Sequence, residues 1–144
     1  MDALQARVER LEAESEILRA LFRHCQYMDS RSHKQWVALF ASDGVLDVRY
    51  RLRNKALNHR EKGRKALEEW VTGYNSRRPA PQRHMLTSPV VAVRGKTATA
   101  ESYFATLDEY DDGPKVVASG RYKDRFVQEK GRWVIKERIV EVAL

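Results

Sequence analysis

Apolar residues fall at helical spacing over the first third of the chain. Leu4, Val8 and Leu11 repeat four and three apart, and Leu18, Leu21, Phe22 and Cys25 continue the rhythm. The first set lies among many charges, so residues 1–13 read as a helical N-terminal extension suited to docking on another surface. The second set reads as the first core helix, ending near Asp29 or Ser30. Ser32 is placed to cap a short second helix carrying Trp36, Val37, Leu39 and Phe40. "ASDG" is expected to stop that helix, and "VLDVRYR" to form a strand. "GRKALEEWVTGYN" predicts a third helix, burying Leu67, Trp70, Val71 and Tyr74.

From His84 the pattern becomes one of strands. "HMLTSPVVAV", "TATAESYFATLDEY", "KVVASGRYKDRFVQE" and "RWVIKERIVEVAL" are rich in branched and aromatic residues, and "RGK", "DDGP" and "EKG" separate them as turns. Turns this short imply a four-stranded antiparallel meander. The fold class is therefore α+β: a curved antiparallel sheet wrapped around three N-terminal helices, a cone-like barrel with an internal pocket. The whole chain, residues 1–144, reads as a single domain.

Composition narrows the functional classes. At 144 residues, 42% hydrophobic and 33% charged, the chain has the make-up of an ordinary globular protein. No apolar run reaches the roughly 20 residues of a membrane span, and the charged N-terminus does not read as a secretory leader. One cysteine, Cys25, fits a reducing, cytoplasmic setting and is expected to be an inert core thiol. Four scattered histidines and the one cysteine show no zinc spacing, so no metal site is expected. The net charge of +7 is concentrated in Val48–Lys65, with eight Lys/Arg against Glu61 alone. That segment reads as a solvated loop, or as a surface for an anionic substrate or acidic partner; no nucleic-acid module surrounds it.

Candidate chemistry centres on Asp29 and His84. Pro79 and Pro81 break the chain so that His84 begins a strand, and alternation puts His84, Leu86, Ser88, Val90 and Ala92 on one face. If that face looks at the helices, His84 shares the pocket with Asp29. A carboxylate on one imidazole nitrogen fixes the tautomer and supports the imidazolium formed when the other takes a proton. The plainer alternatives are a turn residue for Asp29 and a structural strand histidine for His84. Tyr27 is either a polarising hydroxyl or a packing residue, pointing away from Asp29 on helical geometry. Arg138 has the opposite parity to Trp133, so both face inward only if a bulge intervenes. Asp124 reads as an ion-pair partner or a buried acid. His24 could line the cavity, one turn before Met28, but is expected rather to pack on the helix face; His33 and His59 are expected to lie on the surface.

"EILRALFRHCQYMDSRSHKQWVALFASDG" and "GRYKDRFVQEKGRWVIKERIVEV" resemble the SnoaL-like branch of the nuclear-transport-factor-2-like superfamily, over nearly the whole chain after residue 12. The closest catalytic pattern resembles scytalone dehydratase and hexachlorocyclohexane dehydrochlorinase. That resemblance implies a cofactor-independent lyase or isomerase (dehydration, elimination or double-bond shift). Asp29 and His84 would abstract a proton from a small, mostly apolar cyclic substrate, with Arg138 or Tyr27 stabilising developing negative charge. The dehydrochlorinase lysine and the dehydratase's second histidine and asparagine have no match. "DSRSHKQWVALFASDGVLDVRYRLRN" also resembles the small subunit of ring-hydroxylating dioxygenases, which implies a non-catalytic supporting role; a small-molecule binding protein lies between the two. A homo-oligomer is expected, a dimer or, as in the dehydratase, a trimer.

Overall fold

The computed structural model describes residues 2–52, 54–78 and 81–143. Pro79, one of the two expected chain breakers, lies outside them. One helix, α1 (Ala3–Asp29), takes up both N-terminal apolar sets without interruption. Residues 2–12 are exposed, including Leu4, Val8 and Leu11. From Ala13 onward a stripe of Ile17, Ala20, Leu21, His24, Cys25 and Met28 is buried. Phe22 departs from expectation: it is 45% exposed, because that stripe passes on either side of it.

Helix α2 (His33–Ala38) buries Trp36 and Val37. It ends sooner than the pattern implied, and Phe40 opens strand β1 (Phe40–Tyr50). "ASDG" is therefore not a helix stop. It is a bulge in which Phe40 pairs with Ile135 and the next paired residue, Val45, with Glu137. A 3₁₀ turn at Lys55–Leu57 and strand β2 (His59–Lys62) follow. The basic segment is thus only partly a loop: its backbone bonds to β1 although its side chains are charged. Helix α3 (Arg64–Ser76) buries Leu67, Val71 and Asn75 and leaves Trp70 and Tyr74 half-buried.

The meander consists of β3 (Gln82–Arg94), β4 (Thr97–Tyr110), β5 (Gly113–Glu129) and β6 (Arg132–Ala143), antiparallel at each hairpin. The sheet order is β2-β1-β6-β5-β4-β3. The sheet is curved and stays open, with β2 and β3 at its edges. Strands β1 and β6 run parallel; no hairpin joins them, so nothing local dictates their direction. The three helices pack against the concave side, α1 chiefly on β3.

Two irregularities decide which side chains face inward. Ser88 adopts φ +53°, and the β3–β4 register shifts between Thr87 and Val90. His84 and Leu86 therefore face in as expected, but beyond the bulge the parity inverts: Val91 and Val93 pack on the core and Val90 is exposed. In β6, Ile135 pairs with Phe126 and Glu137 with Arg125, leaving Lys136 as the extra residue. That bulge is what allows Trp133 and Arg138 both to be buried.

Strands β5 and β6 also approach closely at Gly120. A Cβ there would collide with the Glu141 carbonyl oxygen and lie 3.0 Å from the Phe104 ring. Gly120→Ala is expected to lower unfolding free energy by about 1–3 kcal/mol, the usual cost of overpacking, as a reduced urea midpoint.

Candidate active site

The concave sheet and the three helices enclose a cavity of about 460 Å³, mostly apolar and open at one end. Its size lies within the roughly 300–1,000 Å³ of small-molecule sites. One wall is a run of rings: His59 stacks on Trp70 at 5.4 Å, Trp70 on Tyr74 at 5.2 Å, and Tyr74 lies 6.4 Å from His84. Across from it, Phe104 stacks on Tyr122 at 4.5 Å. Facing aromatic surfaces favour a flat, apolar guest.

Asp29 and His84 meet at this cavity. Asp29 is the last residue of α1, and Ser30 is the C-cap. A negative charge at a helix C-terminus opposes the helix dipole, so its own helix gains nothing from this acid. The carboxylate is spent on β3 instead. Its Oδ1 lies 2.7 Å from His84 Nδ1, and its two oxygens accept from the His84 backbone N–H at 3.1 and 3.0 Å. Holding backbone and ring together fixes the imidazole's position and makes Nδ1 the protonated nitrogen, leaving Nε2 a lone pair. The His84 side chain is 7% exposed and lines the cavity.

Tyr27 and Arg138 are not brought to the cavity wall. Tyr27 sits two positions before Asp29 on α1, partly buried, with the Arg23 guanidinium 5.8 Å from its ring centroid. Arg138 is wholly buried and donates from Nε and Nη2 to the two oxygens of Asp124, at 2.7 and 2.8 Å. Its guanidinium lies 3.9 Å from the ring centroid of Tyr122, which does line the cavity. Asp124 is therefore both an ion-pair partner and a buried acid. Burial pushes its carboxyl up from the ordinary value, against the opposing pull of Arg138.

Several further polar residues shape the site. His59, expected at the surface, lines the cavity with Nδ1 3.2 Å from Glu61. Residues 59 and 61 alternate onto one face of β2, a signal hidden because "HREK" has little strand character. His24 takes the less expected of its two places and lines the cavity, and neither of its ring nitrogens has a partner among the described residues. Burial, then the nearby Arg138 charge, hold its pKa well below the usual histidine value. Trp36 Nε1 is likewise buried without a partner among the described residues. Each such orphan costs about 1–3 kcal/mol. His33 is a tether, its Nε2 2.9 Å from the Asn75 amide between α2 and α3. Cys25 is buried, and burial pushes its thiol up to about 11, so it is unreactive at neutral pH.

Near the mouth, Tyr74 donates to Gln82 at 2.6 Å, Gln82 to Asp108 at 2.9 Å, and Arg78 to both Asp108 oxygens at 2.7 and 2.8 Å. Among the described residues, no cluster of three or more His, Cys, Asp or Glu could hold a metal ion, and no helix is long and apolar enough to cross a membrane.

A helix-capped curved sheet with a polar pair set in an apolar cavity defines a cone-shaped α+β pocket protein. Residues 9–139 match the SnoaL-like domain, and the chain belongs to that family. No curated protein sequence matches it. Three solved structures from Novosphingobium aromaticivorans share the fold. An NTF2-like protein with a cystatin-like fold is 23% identical, with TM-score 0.84 over 98% of this chain and 87% of that one. The beta subunit of a candidate aromatic-ring-hydroxylating dioxygenase is 22% identical, with TM-score 0.78 over 94% and 92%. A candidate scytalone dehydratase is 20% identical, with TM-score 0.72 over 94% and 87%. At these identities the likeness shows the fold alone.

Two stability predictions follow from these polar contacts. Arg138→Met should cost about 3–5 kcal/mol by stranding Asp124, whereas Asp124→Leu with Arg138→Met should recover most of it, measured by urea unfolding. Burial alone would raise the Asp108 carboxyl, but hydrogen bonds from Gln82 and Arg78 and the Arg78 charge outweigh it and lower the pKa. Its contribution is then present above the ordinary aspartate value near ~4 and lost as pH falls through the lower folded value. The stability gap between wild type and Asp108→Asn should close on acidification through that range.

Proposed function

We propose that this protein is a cofactor-independent lyase or isomerase that begins by removing a proton beside a carbonyl or leaving group of a small cyclic substrate. The observation that carries this reading is the three-bond hold of Asp29 on the ring and backbone of His84 at the wall of an apolar cavity. His84 Nε2 is the base and Asp29 the positioning residue. The lone pair on Nε2 takes the substrate proton, and the C–H electron pair becomes a C=C bond as the carbonyl π pair moves onto oxygen. The imidazolium so formed faces the Asp29 carboxylate through Nδ1–H, which lowers the energy of the charged intermediate. Returning the proton at a different carbon gives an isomerisation; expelling a β-substituent gives an elimination. Tyr27 and Arg138 take no direct step in this scheme, since neither lines the cavity.

A second reading draws on the likeness to a dioxygenase beta subunit. Met85, Val90, Tyr103 and Val116 are exposed on the strands, giving this chain an apolar surface for a neighbouring subunit or a second copy. In that reading the dyad is idle.

Deuterium uptake separates the two, because it requires only the first proton transfer. Wild-type protein in deuterium oxide should exchange the α-protons of α-tetralone above background, followed by NMR. His84→Gln should slow exchange about 100- to 10,000-fold, and Asp29→Asn should slow it less. Background rates for the wild type across a panel of cyclic ketones, or an unchanged rate in His84→Gln, would rule out the dyad enzyme.

A further inference from the structure

The inner end of the cavity holds polar atoms that the dyad does not use. His24 is 4% exposed and Trp36 fully buried, both line the cavity, and their ring centroids are 5.3 Å apart. Both His24 nitrogens and Trp36 Nε1 lack a hydrogen-bond partner among the described residues. The rings around them, Phe40 at 6.2 Å and Tyr122 at 5.9 Å from His24, pack against the imidazole without pairing it. A side chain needed only to fill this space would be phenylalanine or leucine, since an apolar group of that size avoids the penalty of unpaired nitrogens.

We propose that His24 and Trp36 form a binding site for the hydrogen-bond-accepting oxygen of an uncharged cyclic ketone, and so orient the ligand with its oxygen inward. Trp36 Nε1 is a donor only, and a neutral imidazole supplies one further N–H. Two donors on neighbouring rings in an apolar enclosure suit an oxygen with two lone pairs. Burial, then the Arg138 charge, disfavour imidazolium at His24, so the ring is a neutral donor. His84 is also near enough for its charge to act on His24. The site's link to catalysis rests on the dyad reading: an oxygen held here would receive the electron pair released at the carbon that His84 deprotonates. Binding itself does not depend on that reading.

The test compares α-tetralone with tetralin, which has the same rings and no oxygen, by isothermal titration calorimetry. The quantity read is the ratio of the tetralin Kd to the tetralone Kd. It should fall at least about tenfold in His24→Phe and by a smaller factor in Trp36→Phe. His24→Phe should also unfold at a temperature no lower than wild type, because it removes unpaired buried nitrogens. Should that variant not fold, ¹⁵N-imidazole NMR of the wild type provides the second measurement, with tetralone but not tetralin shifting a His24 ring resonance. A ratio unchanged in the folded variants, or a His24 resonance unmoved at saturation, overturns the site and leaves these nitrogens merely hydrated. A shifted ratio with background deuterium exchange supports the site and removes the dyad enzyme. Catalysed exchange with an unchanged ratio does the reverse.

Discussion

The Asp124–Arg138 ion pair fixes the inner end of the cavity. Both side chains are withdrawn from water, so each charge depends on the other, and the bidentate geometry ties β5 to β6 at one register. The bulge at Lys136 is the backbone's means of turning Arg138 inward while Trp133 stays buried. Tyr122 lies on the guanidinium, and Phe104 lies on Tyr122. An aromatic floor is thus built on a charged foundation, with His24 and Trp36 beside it.

The opposite wall is organised by an acid where helices usually avoid one. Asp29 joins the end of α1 to the start of β3, so the longest helix and an edge strand are locked at the same point that presents His84 to the cavity. Edge strands have one free side. Here the backbone N–H of His84 is occupied by a carboxylate, which serves positioning and protection together.

Much of the fold was legible because it follows from periodicity and turn chemistry. The meander came from three short turns, and α1 and α3 from their apolar stripes. The misreadings share a cause: local signals cannot see register. "ASDG" looks like a helix stop yet is a bulge paired to β6, and Ser88 inverts the parity of β3 midway. Strand β2 was hidden because its side chains are charged and its backbone pairing supplies the order. At the site, strand alternation suggested that Asp29 and His84 share a pocket, but residues 55 apart give only a weak signal by spacing, and the resemblance strengthened it. His24 was legible as a residue that could line the cavity, but not as one with bare nitrogens, since a histidine on an apolar stripe looks the same whether they are paired or not.

The entrance is made differently from the floor. Leu57, on the 3₁₀ turn, and His59, on the four-residue strand β2, frame it beside Arg77, at the end of α3. None of these is part of the buried core, and β2 is held by β1 alone within the sheet. Substitution there disturbs few interior contacts, while substitution at the floor disturbs a charge pair and its stacked rings. A change at the mouth would therefore reshape the cavity's opening while leaving the charge pair and its stacked rings in place.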